Sequence, residues 1–349
     1  MRWRRSVVDG ITPIIETRTP GSKCRRDITG SMNGNGAPRE EFARDARIGL
    51  CEAERKWLPA RHLYDAVGSA LFEAITHLPE YGLTRADHRV LRRAARSLRS
   101  HIHCQALTIA ELGSGSGTKT RLVLEALVPG LVRSYCPIDI SSEALERCRQ
   151  ELGDLVPVLP YHGAYVDGVR SMRESRPADV PLMLLFLGSS IGNLGPDDRG
   201  SFLASLRSAL RPGDYFLIGF DLVKPKADLL RAYDDPTGVT AAFNRNVLGR
   251  VNRELGASFD LDSFRHVVRY DEGERRVEMH LLATRDQSVP IPLASATCDI
   301  RSGETIWTES SYKFERAEIG NAMQEGGFRE LAIWVDDEWP LLEGLWLVD

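Results

Sequence analysis

From residue 85 onward the hydrophobic positions fall into two alternating patterns. A helical spacing covers 85–100, and short apolar runs follow at 107–112, 133–139, 156–161, 181–188 and 214–221. Amphipathic stretches at 118–127, 141–152 and 197–210 separate most of these runs. Continuous apolar runs of this length suit strands buried on both faces, and their alternation with helices predicts a parallel, doubly wound α/β sheet. The alternation breaks after residue 221. Residues 223–313 combine helical patterns at about 225–233 and at 239–255 with strand-like runs near 264–270, 275–284 and 305–314. The chain then returns to its first rhythm, with a helix at 316–325 and strands at 328–335 and 342–348 that complete the sheet as a late antiparallel pair. Upstream, an amphipathic helix is expected at 40–50 and a second apolar helical pattern at 66–78. Residues 86–222 and 314–349 thus form one domain, and 40–85 with 223–313 form an α+β domain inserted beside it.

Composition narrows the picture. With 349 residues, 42% of them hydrophobic, the chain can bury one large core or two joined ones. A net charge of −4 argues against a nucleic-acid surface. No apolar run reaches the ~18 residues that mark a membrane span. Cys24, Cys51, Cys104, Cys136, Cys148 and Cys298 show no C-x-x-C spacing, which fits free thiols in a reducing compartment better than a disulfide framework or a zinc site. His101 and His103 come nearest to a metal-ligand pair and lack a third partner. Residues 1–39 are expected to be a disordered extension. They are rich in arginine and glycine, have no apolar signal core, and carry Asp9 and Glu16, which a transit peptide would avoid. Met32 is an alternative start.

The densest chemistry lies where the first strand turns into its helix, at Glu111-Leu-Gly113-Ser-Gly115-Ser-Gly117-Thr-Lys119-Thr120. Glycines there let a ligand approach backbone N–H groups closely. The G-x-G-x-G spacing departs from the dinucleotide pattern G-x-G-x-x-G. It departs from a phosphate loop too, because Thr118 stands where that loop needs glycine before its lysine. Asp139, at the end of the second run, is placed to take ribose hydroxyls. An acid followed by G-x-G-x-G, with a second acid at the next strand end, resembles the S-adenosylmethionine site of class I methyltransferases. A purely structural turn is the alternative.

Four further pieces stand out. Leu187-Gly-Ser-Ser-Ile-Gly-Asn193 closes the fourth run, at the edge where a switch-point crevice places a ligand. Tyr233 ends the first inserted helix, and Glu278-Met279-His280 sits in an inserted strand. Glu309 and Ser311 share one strand face, because side chains alternate with period two. Each piece alone has a plain reading as turn, helix end, core filler or solvated edge.

Together these stretches resemble the ergothioneine-pathway L-histidine Nα-methyltransferase family, from about Phe42 to the C-terminus. YDAVGSALFEAITHLPEYGLTRAD, ELGSGSGTKTR, LGSSIGNL, the run from Asp221 to Asp260, and VEMHL carry the resemblance. It implies a class I methyltransferase fold, Rossmann-like, with an inserted α+β substrate-binding domain. S-adenosylmethionine would be the cofactor, and a small molecule, L-histidine, the partner. The implied enzyme is cytoplasmic and monomeric, with no metal, no covalent nucleophile, and no nucleic-acid or membrane partner. Carried over by motif, the histidine contacts fall on Tyr81, Asn193, Tyr233, Glu309 and Ser311, with Met279 packing nearby and Tyr64 as a further pocket residue. Tyr64, Tyr81 and Asn193 would position the reacting groups. The cofactor contacts fall on Gly113, Lys119 and Asp139, with Ala164 and Tyr165 at the adenine.

Each assignment has a chemical sense. A neutral imidazole has one donor and one acceptor, which Glu309 and Ser311 can meet. Asn193 and Tyr233 can hold the amino-acid head group, and Lys119 the methionyl carboxylate of the cofactor. Two departures from the family are visible. Gly82 stands where many relatives have a second tyrosine, which is expected to loosen the pocket rim. Ala164 stands where relatives have an acid for the adenine amino group, a role left to Asp167 or to the Tyr165 backbone. Two rival readings remain. One is a family member acting on a tryptophan-derived or other amino-acid amine; the other is a non-catalytic binding module.

Overall fold

The computed structural model describes residues 37–349 except Ser116 and Pro129. Of the extension expected at 1–39, residues 1–36 lie outside the described residues and the remainder opens the first helix. The helices are α1 (Ala37–Ala46), α2 (Ala66–Thr76), α3 (Gly82–Leu98), α4 (Thr118–Leu127), α5 (Ser142–Leu152), α6 (Tyr165–Ser175), α7 (Pro196–Ala209), α8 (Lys226–Tyr233), α9 (Val239–Leu255) and α10 (Arg316–Glu325). The strands are β1 (Leu107–Leu112), β2 (Val132–Asp139), β3 (Tyr161–His162), β4 (Leu182–Phe186), β5 (Tyr215–Asp221), β6 (Phe264–Asp271), β7 (Arg276–Ala283), β8 (Gln287–Ile291), β9 (Ala296–Ile300), β10 (Thr305–Tyr312), β11 (Phe328–Asp336) and β12 (Leu341–Val348).

Seven strands form one sheet in the order β11-β12-β5-β4-β1-β2-β3. β1 to β5 run parallel, while β12 inserts antiparallel between β5 and β11. Strand order reverses beside β1, so the loops after β1 and β4 open on one crevice at the carboxyl ends of the strands. β1, β4 and β5 are buried at every position, as strands covered by helices on both faces must be. A separate antiparallel sheet has the order β10-β7-β6, and β8 pairs with β9 as a hairpin. One hydrophobic core joins residues of 42–86 to residues of 232–306, including Phe42, Phe243, Phe264 and Met279.

Two expectations need correction. The strand expected at 156–161 shrinks to a single bridge at Val158 and the two residues of β3. Pro157 and Pro160 lack the N–H that a longer ladder requires. The helix expected at 40–50 ends at Ala46 and widens into a π-type turn at Arg47–Glu52. A Cβ on Gly49 would sit 2.2 Å from the Trp57 carbonyl, so the wide turn and its glycine admit the returning chain. The late antiparallel pair is present as expected, with β12 antiparallel to both β5 and β11. Helix α6 and the β8–β9 hairpin were not anticipated.

The turn into β5 is fixed by Asp214. Its carboxylate accepts from the Arg176 guanidinium and, at 2.9 and 2.8 Å, from the N–H groups of Leu182 and Arg211. Arg176 and Asp214 side chains are both 2% exposed. Removing one member leaves a buried charge without its partner. Asp214→Ala is therefore expected to destabilise the protein by about 3–5 kcal/mol in urea unfolding.

Candidate active site

The loop after β1 is built for close approach. Gly113, Gly115 and Gly117 have φ of 68°, 54° and 77°, a region that side chains avoid. A Cβ on Gly113 would lie 2.6 Å from the Tyr165 hydroxyl, whereas Gly115 faces open space. Behind the loop, Thr120 donates to the Glu111 carboxylate at 2.6 Å, and the Tyr135 hydroxyl donates to it as well. Burial pushes the Glu111 carboxyl up to about 7 against those two bonds. Glu111 thus clasps the strand to α4 and does not face the crevice.

Asp139 ends β2 and its carboxylate accepts from the Ser141 N–H at 2.9 Å. Burial raises its pKa above the usual carboxylate value. Tyr165 opens α6 after Ala164, whose methyl gives that helix no side-chain cap. Asp167 pairs with Arg170 at 3.2 Å on the half-exposed side of α6. Lys119 donates to Asp87 at 2.7 Å, and a Cβ on Gly188 would lie 2.7 Å from its ammonium. Burial, and next the charge of Asp87, hold the Glu343 carboxyl well above its ordinary value. Asp87 is the carboxylate that bonds the lysine directly. Two cradle positions that a Cβ would fill, a lysine, and a carboxylate at the next strand end fit a nucleoside bearing an amino-acid arm. Gly113, Lys119, Asp139 and Tyr165 are the residues that would hold it.

Beside the cradle stands a cluster of rings and hydroxyls. Tyr64 follows a short 3-10 turn, and Asp65 caps α2 by accepting from the Gly68 N–H at 2.7 Å. Asn246 and Arg253 of α9 also donate to Asp65, which pins the Tyr64 loop to that helix. Tyr81 precedes α3, and its ring meets that of Tyr233, at the end of α8, edge-on at 6.3 Å. The Tyr64 hydroxyl donates to Glu309 at 3.4 Å. Met279 lies opposite Glu309 in the β7–β10 ladder and is 2% exposed.

The register slips between Trp307 and Glu309, where Thr308 turns to donate to Asn244 and to the Met279 carbonyl. Past this bulge both Glu309 and Ser311 are buried. Asn193 ends a 3-10 turn after β4, next to Gly192, which lies against the Tyr312 backbone. Its side chain is exposed and makes no hydrogen bond to the cluster among the described residues. The structure therefore brings together Tyr64, Tyr81, Tyr233, Met279, Glu309 and Ser311, and leaves Asn193 at the crevice edge.

Four participants were missed from sequence. Lys313 donates to Ser311 at 2.7 Å, to Tyr233 at 3.0 Å and to Asp221 at 2.9 Å. Asp221, the last residue of β5, also accepts from Lys224, whose ammonium lies 4.9 Å from the Trp339 ring centroid. Burial alone would raise the Asp221 carboxyl, but Lys313 and Lys224 hold it below the usual range. The period-two spacing of Glu309, Ser311 and Lys313 was the available signal.

Trp339 also corrects the expectation for Gly82. A Cβ there would sit 2.2 Å from the indole ring, so the space is filled and the rim is not loosened. Burial pushes the Glu309 carboxyl up to about 7, with the Lys313 charge and the Tyr64 hydroxyl opposing. Burial also raises Tyr64 and Tyr81 well above the ordinary tyrosine value, so both hydroxyls stay protonated.

The sheet order and the glycine cradle at its switch point define a class I, Rossmann-like methyltransferase. Residues 42–342 match the family model described as histidine-specific methyltransferase, SAM-dependent, and the chain belongs to that family. It is 41% identical over 309 residues to the histidine N-alpha-methyltransferase of Mycobacterium tuberculosis, covering 87% of this chain and 94% of the relative. It is 42% identical over 302 residues to the protein of the same name from Mycolicibacterium smegmatis, covering 85% and 92%. Ergothioneine biosynthesis protein 1 of Neurospora crassa is 33% identical over 283 residues, which are 79% of this chain and 32% of that longer protein.

Two outcomes follow from this geometry. Gly82→Ala is expected to cost about 1–3 kcal/mol by overpacking, and much less in a Trp339→Ala background, measured by urea unfolding of the two single variants and the double variant. The folded pKa of Glu309, about 7, lies above its ordinary 4.5. A raised acid favours folding below the unfolded pKa, and that contribution is lost as pH rises through about 7. Glu309→Gln, neutral throughout, should therefore raise Tm relative to wild type more at pH 8 than at pH 5 when the ligand-free proteins are melted.

Proposed function

We propose that the enzyme methylates the α-amino nitrogen of L-histidine with S-adenosylmethionine, up to the trimethylated product hercynine, in ergothioneine biosynthesis. The reading includes a cytoplasmic monomer, with residues 40–85 and 223–313 as the substrate-binding domain. The pairing of a buried acid with a buried hydroxyl on one face of β10 carries the choice of substrate. Glu309 accepts the ring N–H, Ser311 donates to the other ring nitrogen, and Met279 and Tyr64 wall the ring. Tyr233 and Asn193 hold the head group, with Asn193 reaching it from the crevice edge.

S-adenosylmethionine, when bound, supplies an already activated methyl group. What remains for the chain is to present a neutral nitrogen along the right line, and such alignment is worth roughly 10^5 M or more in effective molarity in favourable systems. Tyr64 and Tyr81, with their raised pKa values, act as hydrogen-bond donors and ring walls, not as phenolate bases. Water in the crevice takes the proton that the amine must lose before each transfer.

Purified protein incubated with methyl-labelled S-adenosylmethionine and histidine should give mono-, di- and trimethylated products by mass. An amino-acid screen with no histidine product but an occupied cofactor site would overturn the reading. Glu309→Ala should raise the KM for histidine strongly with a smaller effect on kcat. Unchanged kinetics would favour an indole or another amine as substrate.

A further inference from the structure

Lys313 lies just past the end of β10, with its side chain 0% exposed. An ammonium has three N–H donors and no acceptor. Here all three are assigned, to Asp221 at 2.9 Å, Ser311 at 2.7 Å and Tyr233 at 3.0 Å. The Tyr233 hydroxyl itself donates to Ser311 at 2.7 Å. Both lone pairs of Ser311 are therefore taken, one by Tyr233 and one by Lys313, and its own hydrogen must point elsewhere. That hydrogen can be used only on an acceptor. Without the ammonium, one Ser311 lone pair would be open to a donor from a ligand.

We infer that Lys313 is a positioning residue that sets the donor polarity of the ring site, so that a ring bearing an unprotonated nitrogen is admitted and a ring without one is refused. The inference rests on the placement of a histidine ring between Glu309 and Ser311 and adds the origin of its selectivity. Glu309 takes the N–H side of the ring. The hydroxyl pair, oriented by Lys313, takes the lone-pair side. A protonated ring has no lone pair to offer and would bring a second cation toward the ammonium. An indole or a thiophene leaves the outward hydrogen without a partner in a buried site. Asp221 holds the ammonium in place through one oxygen, and Lys224 donates to its other oxygen.

The test compares wild type, Lys313→Met, Ser311→Ala and the double variant by calorimetry with S-adenosylhomocysteine present. The two ligands are L-histidine and β-(2-thienyl)-L-alanine, a five-membered ring without nitrogen. Lys313→Met is expected to lower the histidine-to-thienylalanine affinity ratio about tenfold or more, the scale of one buried unpaired hydrogen bond, and Ser311→Ala should add little to it. A merely structural role would weaken both ligands alike and leave the ratio intact, which overturns the inference.

If Ser311→Ala itself leaves the ratio unchanged, the ring is not at Ser311, and the placement falls together with the inference. If wild type binds histidine in that place but Lys313→Met keeps the full ratio, the placement stands and the inference alone falls. Should Lys313→Met not fold, wild type with ring-15N-labelled histidine decides by NMR. One protonated and one unprotonated ring nitrogen in the bound state supports the inference, and two protonated nitrogens overturn it.

Discussion

A buried carboxylate at the end of β5 is the point on which both halves of the site depend. Asp221 holds Lys313 on one oxygen and Lys224 on the other, and its N–H donates to Ser189 at 2.7 Å. Ser189 takes φ 58°, unusual for a residue with a side chain, in the turn that leads to Asn193. The central sheet therefore fixes both the turn after β4 and the end of β10 through one residue. Two ammonium groups on one buried carboxylate leave an excess positive charge, and such a group is costly unless every proton finds a partner. Lys313 meets that requirement with the two hydroxyls of the ring site. The site is thus part of the electrostatic closure of the interior and not an addition to it.

Helix α9 supplies the second support. Asn246 and Arg253 hold the Asp65 cap beneath Tyr64, while Asn244 bridges to β10 through Thr308 and to His266. The Asn244 amide donates to His266 Nδ1, so His266 carries its hydrogen on Nε2 and donates to the Tyr233 carbonyl at 2.8 Å. Burial lowers the His266 pKa, which keeps this ring neutral and the direction of the relay fixed. Asp235 then accepts from the Val239 and Thr240 N–H groups and starts α9 directly after the Tyr233 turn. Three ring-site residues from separate segments are therefore referred to one helix, as precise placement requires.

The features legible in the sequence were local ones. β1 and α4 have the limits that the apolar run and the glycines implied, and α9 runs from Val239 to Leu255 as its periodicity indicated. Positions whose role depends on a distant partner were misread or missed. Gly82 looked like a lost tyrosine because nothing near it in sequence announces Trp339. Lys313 was not singled out, because the partner that gives it a role, Asp221, lies on another sheet. Helix α6 was passed over, and Pro157 and Pro160 shortened a strand that the apolar residues alone would have extended. Periodicity reports which face of an element is covered, not which group covers it.

Burial acts in the same direction on the acid and on the tyrosine hydroxyls of this site. Burial alone pushes Glu309 toward neutrality and the tyrosines further from ionisation. Lys313 opposes the first tendency, because its charge lowers Glu309 and so preserves an acceptor. It reinforces donor behaviour at Ser311 by occupying an oxygen lone pair. One cation thus pushes neighbouring groups to opposite ends of the hydrogen-bond scale, an acceptor at one side of the ring space and a donor at the other. A neutral imidazole carries the complementary pair. The asymmetry arises from a single buried charge and from the strand spacing that sets Glu309, Ser311 and Lys313 on one face, so the selectivity belongs to the constellation more than to any residue that touches the ring.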